Sequence, residues 1–171
     1  MKTLVKLPVP LLFFLSLFLG SCNKDDEKSA TYDLICGKWE VTDIQFDVTI
    51  GGQSFTAYLI NTYGFTEQEA DLAAEENEKA YKDTWTGTMD YKEDGTYEFN
   101  VGGEYYSNDW YLSDDEKTIH VYITGHYMDF KLISVNEITM KLRFDQVYYY
   151  DINDDGIKDA IDYTNDFTLE K

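Results

Sequence analysis

Hydrophobic and polar residues alternate along most of the chain after Cys36, in short runs that end at glycine, asparagine or acidic residues. A period of two is typical of β-strands that bury one face, and the interruptions are typical of tight turns. Consecutive strands joined by tight turns usually lie side by side. The pattern therefore predicts an all-β fold, an eight-stranded antiparallel up-and-down barrel. The eight runs cover residues 37–50, 85–91, 97–101, 106–112, 119–123, 128–132, 138–150 and 161–169.

The first run changes phase part-way along its length. Trp39 and Val41 fall on one face, whereas Ile44 and every second residue up to Ile50 fall on a face that is out of step with them. Such a change of phase indicates a β-bulge or a sharp bend in a long strand.

A short helical insertion separates the first two predicted strands, at residues 54–83. Apolar residues within 55–63 have helical spacing, and Gly64 is placed to end that helix, although a strand is the competing interpretation. Residues 66–69 form a capping box, which predicts a second helix, rich in Ala and Glu, up to about Lys82. We expect the insertion to lie over one mouth of the barrel, and packing on the outer wall is the alternative.

The N-terminal segment has the features of a bacterial lipoprotein signal. Lys2 and Lys6 precede an apolar run at residues 11–19 that is too short to span a membrane. The following residues, Leu19-Gly20-Ser21-Cys22, resemble the lipobox. The resemblance implies a signal peptide at residues 1–21, lipidation of Cys22 and a bilayer as its partner. Residues 22–33 then form the lipidated N-terminus and a flexible tether; the alternative is an ordinary signal peptide with an incidental cysteine.

The residues directly after Cys22 indicate where in the cell envelope the protein is located. Lys24 is followed by Asp25 and Asp26, which is similar to the surface-export signal of Bacteroidota lipoproteins. The resemblance implies an outer-membrane, lipid-anchored protein on the cell surface. A plain solvated linker on a lipoprotein that faces the periplasm is the alternative.

The charge of the chain limits its partners. There are 33 acidic and 14 basic residues, and the formal net charge is -19. A surface this acidic repels nucleic-acid phosphates, so we expect no nucleic-acid partner. The same charge is compatible with cation binding.

One acidic loop, Asp151 to Asp159, has the spacing of a calcium site, DxNxDGxxD. Oxygen ligands at its first, third, fifth and ninth positions, with glycine at the sixth, can wrap a loop around one hard cation. Because predicted strands flank the loop, it resembles the calcium hairpin loops of integrin-type β-propellers, and we expect structural calcium as the cofactor. An acidic, solvated turn is the alternative. The predicted ligands are the side chains of Asp151, Asn153, Asp155 and Asp159 and the backbone carbonyl of Ile157.

Residues 34–171 resemble the lipocalin-like domain of Bacteroidota lipoproteins. The resemblance rests on Gly37-Lys38-Trp39, on the turn Asp94-Gly95-Thr96 and on residues 110–115. It implies that Trp39 packs across the closed base of the barrel. Lipocalins also stack an arginine near the last strand on that tryptophan, but Arg143 lies one strand earlier, so that role is not carried over.

No pattern in the chain indicates catalysis. There is no Gly-x-Ser-x-Gly elbow and no phosphate-binding loop, and neither His120 nor His126 has a second ligand at zinc spacing. We therefore expect a protein that is not an enzyme.

Two functions fit these features. The first is a membrane-anchored module whose barrel binds a small apolar ligand, with binding residues that the sequence leaves unknown. The second is a structural or interaction protein of the outer membrane that docks other proteins and has a filled barrel. The run Tyr148-Tyr149-Tyr150 motivates the second, because strand alternation puts part of it on the outer face.

Overall fold

The computed structural model describes residues 28–123, 125–153 and 156–171. The predicted lipidation site Cys22 and the predicted calcium ligand Asp155 lie outside the described residues. The helical elements are α1 (Ala30–Ile35), α2 (Phe55–Tyr58), a π-helical turn (Leu59–Tyr63) and α3 (Glu67–Trp85). The strands are β1 (Gly37–Ile50), β2 (Gln53–Ser54), β3 (Gly87–Tyr91), β4 (Thr96–Val101), β5 (Glu104–Leu112), β6 (Thr118–Ile123), β7 (His126–Val135), β8 (Thr139–Tyr150) and β9 (Asp159–Glu170).

The predicted barrel is confirmed: β1 and β3 to β9 form a closed, eight-stranded, all-antiparallel barrel, and β2 is a two-residue extension paired with the end of β1. Strands that follow one another along the chain are neighbours from β3 to β9. The barrel closes because β1 pairs with both β3 and β9.

The predicted irregularity in β1 is also present. Gly37–Glu40 pair with β3, whereas the rest of β1 pairs with β9 up to Ile50, and the register with β9 shifts between Val41 and Asp43. The shift puts Val41 and Ile44 on the same, inner side of the barrel, since both are buried. A bulge with the expected effect on the phase therefore turns one strand through the closing corner.

The insertion after β1 is helical, as predicted. Gly64 ends the π-helical turn with φ 72°, and Thr66 and Glu69 make both bonds of a capping box at the start of α3. No helix among the described residues is long and apolar enough to span a bilayer.

The prediction that Trp85 begins the second strand is wrong, because Trp85 is the last residue of α3. Its alternation with Met89 and Tyr91 is coincidental. The chain leaves the helix at Thr86, whose backbone N–H donates to the carbonyl of Lys82, and the strand begins at Gly87. Gly87 has φ 145°, and a Cβ there would lie 2.0 Å from the carbonyl oxygen of Asn100, so only glycine fits between helix and strand.

One short helix, α1, covers the base of the barrel. The sequence pattern places its first four residues, 30–33, in the tether, but Ser29 caps a helix there by accepting from the backbone N–H of Tyr32. The ring of Tyr32 stacks on Trp110 at 4.6 Å. Residues 30–33, which the sequence pattern assigned to the tether, thus belong to an element that packs on the barrel.

Large side chains fill the interior. Trp39, Phe99 and Phe130 are completely buried, and Trp110 and Phe144 are nearly so. Packed aromatics of this size leave little room for a ligand in the lower barrel. The other fully buried large side chains are Tyr91, Tyr97, Phe167, Ile35, Met89, Ile119, Met140, Leu142 and Leu169.

The strands are not paired over their whole length. Among the residues that the structure describes, only Trp110–Leu112 of β5 pair with β6, and β8 pairs with β7 only over Met140–Arg143. Both paired stretches lie towards the base, where the hairpins β5–β6 and β7–β8 turn. The barrel is therefore continuous at its base, while two seams, β5/β6 and β7/β8, separate its strands towards the opposite end, which we call the mouth.

Candidate functional site at the barrel mouth

A small apolar cavity of about 170 Å³ lies at the mouth. Three parts of the fold contribute to it: the end of α3, the β4–β5 hairpin and the β6–β7 hairpin. Its walls are mostly aromatic and aliphatic, so an apolar group is the chemistry it can accept. The lining residues are Thr84, Trp85, Phe99, Val101, Tyr106, Ile123 and Met128.

Helix α3 reaches the mouth through two aromatic residues one turn apart. Tyr81 stacks on Phe46 of β1 with ring centroids 4.2 Å apart. Trp85 meets the edges of Phe130 and Phe167, whose rings face the barrel interior. Burial raises the pKa of the Tyr81 hydroxyl well above its ordinary value, as expected for a phenol held away from water. The helical insertion therefore lies over the mouth and not on the outer wall.

The β5/β6 seam runs beside the cavity. Tyr106 of β5 and Ile123 of β6 line the cavity from opposite sides of the seam. The hydroxyl of Tyr97 donates to the backbone carbonyl of Tyr122 at 2.6 Å. That carbonyl therefore bonds to a side chain in place of a β5 backbone group. Burial raises the pKa of Tyr97 to about 12, so the hydroxyl stays protonated and able to donate at neutral pH.

The loop with the calcium spacing joins β8 and β9 at the mouth, and both neighbours are strands as predicted. Gly156 has φ 83°, and its backbone N–H donates to Oδ2 of Asp151 at 2.9 Å. Asp159 pairs with Tyr150 where the hairpin begins. The Oδ2 atom of Asp159 is buried and accepts no hydrogen bond from the described part of the chain.

The buried Oδ2 atom of Asp159 is the one feature of the loop's described residues that fits a bound calcium ion. A buried carboxylate oxygen without a donor is costly unless a cation compensates it. Asn153 and Ile157, two further predicted ligands, are exposed, and the described stretches contain no group of three or more His, Cys, Asp or Glu placed to hold a metal. Asp155, the fifth predicted ligand, belongs to no described stretch.

Trp39 is fully buried at the base, where its Nε1 donates to the carbonyl of Ile35 at 2.7 Å. Sequence reasoning missed its partner, Lys171. The ammonium of Lys171 lies 4.5 Å from the centre of the Trp39 ring and donates to the carbonyls of Leu34 and Cys36, each at 2.9 Å. The usable signal was that Lys171 directly follows the last strand.

Arg143 does not approach Trp39. It lies on the outer wall and makes a two-pronged ion pair with Asp166, with both N–O distances 2.7 Å. The hydrogen bond from Arg143 lowers the pKa of Asp166. This position agrees with the sequence, in which Arg143 lies one strand too early to stack on Trp39 as the lipocalin arginine does.

The tyrosine run of β8 is exposed. Tyr148, Tyr149 and Tyr150 have 47%, 65% and 70% of their surface accessible, and they lie above the last β7–β8 pair. Alternation along β8 puts Tyr149 on the opposite face from Tyr148 and Tyr150, and each of the three is exposed enough to be a candidate contact residue.

No protein-family model, curated protein or solved structure matches the chain.

Proposed function

We propose that the protein is a lipid-anchored binding module of the outer membrane, displayed on the cell surface, that holds an apolar group in the cavity at its mouth. The observation that carries this proposal is the apolar cavity between α3 and two hairpins in an otherwise filled barrel. No enzymatic step is part of the proposal.

The size of the cavity restricts the ligand. Clefts for drug-sized ligands occupy about 300–1,000 Å³, whereas this one has about 170 Å³. The filled interior below it prevents a long ligand from entering further. The bound group is thus the size of a branched aliphatic or small aromatic side chain.

The position of the tether supports display of the mouth. Lys28, the first described residue, contacts the carbonyl of Glu93 in the β3–β4 turn, which lies at the base. A chain anchored through Cys22 therefore approaches the barrel at the base, which leaves the mouth directed away from the bilayer.

We propose that calcium has a structural role and stabilises the β8–β9 loop at the mouth. Asp151, Asn153, Asp155, Ile157 and Asp159 would hold the ion, and their negative charge would otherwise repel at one end of the last hairpin. The bound ion would compensate this negative charge. The loop residues that bind it would then hold β8 and β9 together at the mouth.

The binding proposal is tested by nuclear magnetic resonance of methionine methyl groups, with isopentyl alcohol as the probe. Met128 lines the cavity, while Met140 is fully buried at the base, where it pairs with Val135 and Leu169, and serves as an internal control. We expect the Met128 signal to shift and the Met140 signal to stay in place. Val101→Phe should fill the cavity and abolish the shift, whereas Val147→Phe on the exposed β8 should not. An unchanged Met128 signal at saturating alcohol contradicts the proposal.

The anchor is tested separately by metabolic labelling with palmitate. The wild-type chain should incorporate label, and Cys22→Ala should remove it. Replacement of Lys24, Asp25 and Asp26 by alanine should reduce cleavage by external protease while lipidation continues. A wild-type chain without label contradicts the anchor.

The exposed tyrosines of β8 favour a second candidate function, the docking of another outer-membrane protein. Affinity purification of the wild-type protein and of a Tyr149→Ser, Tyr150→Ser variant distinguishes the two. A stoichiometric partner that is lost with the tyrosines supports docking, while its absence leaves β8 as a solvent-exposed wall.

A further inference from the structure

The β5 side of the β5/β6 seam is a strand edge with which no described residue of β6 pairs. Glu104–Asp109 pair with β4 along their whole length, yet no described residue of β6 pairs with them. All of these residues except Tyr106 are exposed. Such an edge can accept a further strand.

The direction of the peptide groups can be derived from one hydrogen bond. The backbone N–H of Trp110 donates to the carbonyl of Gly95 on the β4 side. Because antiparallel partners alternate between bonded and non-bonded pairs, Tyr106 and Asn108 also bond to β4, and the peptide groups of Tyr105 and Ser107 point into the seam. The N–H of Asp109 already donates to the Oδ1 atom of Asn108 at 2.9 Å.

The cavity opens beside the same edge. Tyr106, between Tyr105 and Ser107, faces inward and lines it. In an added antiparallel strand, the residue opposite Tyr106 would also face inward, while its two neighbours would bond to the exposed peptide groups. One extended chain could therefore place a side chain in the cavity and form backbone bonds on either side.

We propose that the occupant of the cavity is an apolar side chain of an extended peptide segment, which belongs to a partner protein and adds as a strand to β5. The inference rests on the proposed function of the cavity and names its ligand class. A pocket the size of one side chain beside a free strand edge is the arrangement of peptide recognition by strand addition.

Charge determines the flanking residues. Glu104 and Asp109 end the free edge, and neither takes part in an ion pair within the described ranges. The chain as a whole carries a net charge of -19, which opposes an acidic segment and a second copy of the same chain. We therefore expect a segment of six residues with lysine or arginine at its first and last positions, opposite Asp109 and Glu104. The apolar residue is at the fourth position, opposite Tyr106.

The test measures binding of a fluorescent peptide, Lys-Thr-Thr-Leu-Thr-Lys, to the delipidated protein by anisotropy. Methylation of the two threonine nitrogens beside the leucine removes two backbone hydrogen bonds to β5. Each bond contributes modestly, but the two losses together should weaken binding by about tenfold or more. Replacement of leucine by alanine, or of both lysines by glutamate, should also weaken it.

Ser107→Pro supplies the complementary test on the protein. Proline removes the N–H that faces the seam but none of the bonds to β4, so the strand is retained. It should weaken peptide binding, while the matched control Ser107→Ala leaves it unchanged. The Met128 response to isopentyl alcohol should persist in both variants, which shows that the cavity is intact.

The outcomes separate this inference from the proposed function. If the alcohol binds and the peptide binds equally well after N-methylation or with Ser107→Pro, strand addition is wrong and the cavity remains a small-ligand site. If the alcohol binds and the peptide does not, the inference is likewise overturned. If neither binds, the proposed function fails as well.

Discussion

The base and the mouth of this barrel are built from the same strands but held in different ways. At the base, β1 pairs with β3, α1 covers the opening, and Trp39 is fully buried beneath Lys171. At the mouth, β5 separates from β6 and β7 from β8, and a helix covers the opening through Tyr81 and Trp85. At these two seams, the backbone pairing of the base is replaced by side-chain contacts at the mouth.

This difference indicates a division of roles. A continuous ring of strand pairs with a buried aromatic core resists local opening, whereas a few side-chain contacts between hairpins can rearrange at low cost. The base therefore provides most of the stability, and the mouth provides the surface on which a ligand can be accommodated. Matched substitutions at the two ends test this division.

The largest effect is expected at the base. Trp39→Ala removes a fully buried indole and its bond to Ile35, so the free energy of unfolding should fall by about 3–5 kcal/mol. Urea denaturation measures the loss. A change within about 0.5 kcal/mol would mean that the base does not depend on this residue.

The corresponding change at the mouth should cost less. Trp85 is only partly buried, so Trp85→Ala should lower the free energy of unfolding by about 1–3 kcal/mol. The cavity should lose its shape, and the Met128 response to isopentyl alcohol should disappear. A loss equal to that of Trp39→Ala would remove the distinction between the two ends.

The periodicity of the sequence was sufficient to predict the barrel, because eight alternating runs with short turns leave few other ways to bury one face. It did not reveal how far adjacent strands remain paired. Residues 104–109, Glu-Tyr-Tyr-Ser-Asn-Asp, do not alternate between hydrophobic and polar, yet they form a regular strand beside β4. The pattern of side chains indicates which face of a strand is buried, and it does not show whether a second neighbouring strand is present.

Other features depend on contacts between distant residues. Trp85 matched the strand phase of Met89, and its place at the end of α3 depends on the approach of Gly87 to Asn100. Lys171 reaches Trp39 only once the barrel has closed. Helix α1 was missed because six residues are too few for a clear apolar period. The spacing of the calcium loop was readable, although the buried oxygen of Asp159 was not.

Calcium binding to the β8–β9 loop should raise the thermal stability of the protein. An ion at ten times its dissociation constant stabilises a protein by roughly 1.4 kcal/mol, which should raise the melting temperature by a few degrees at this size. Scanning calorimetry with calcium or chelator measures the shift. Asp159→Asn should abolish it, whereas Asp162→Asn, a neighbour outside the predicted ligands, should retain it. Equal melting curves of the wild type in both solutions would contradict the site.

The contact between Lys171 and Trp39 should have a moderate effect at the base. Lys171→Met removes a cation over an aromatic ring and two hydrogen bonds to carbonyls at the end of α1. Because the ammonium is partly solvated, we expect a loss of about 1 kcal/mol. Lys38→Met, an exposed lysine on β1, is the matched control and should change stability little. Equal effects of the two variants would show that Lys171 is not a closing contact.

The smallest effect is expected on the outer wall between the two ends, at the Arg143–Asp166 pair. Both side chains are more than a third exposed, so solvent screens the pair and it should contribute little to stability despite its good geometry. The pKa of Asp166 is lowered in the folded protein, chiefly by its hydrogen bond from Arg143. The contribution is therefore present above the ordinary aspartate pKa of about 3.9 and is lost as the pH falls through the lower folded value. A double-mutant cycle with Arg143→Met and Asp166→Asn should give a small coupling energy at neutral pH, and this coupling should decrease as the pH falls below the ordinary aspartate pKa. A coupling as large as the loss caused by Trp39→Ala would show that an exposed pair stabilises the wall as strongly as the buried aromatic residue stabilises the base. The division between base and mouth would then have to include the wall itself.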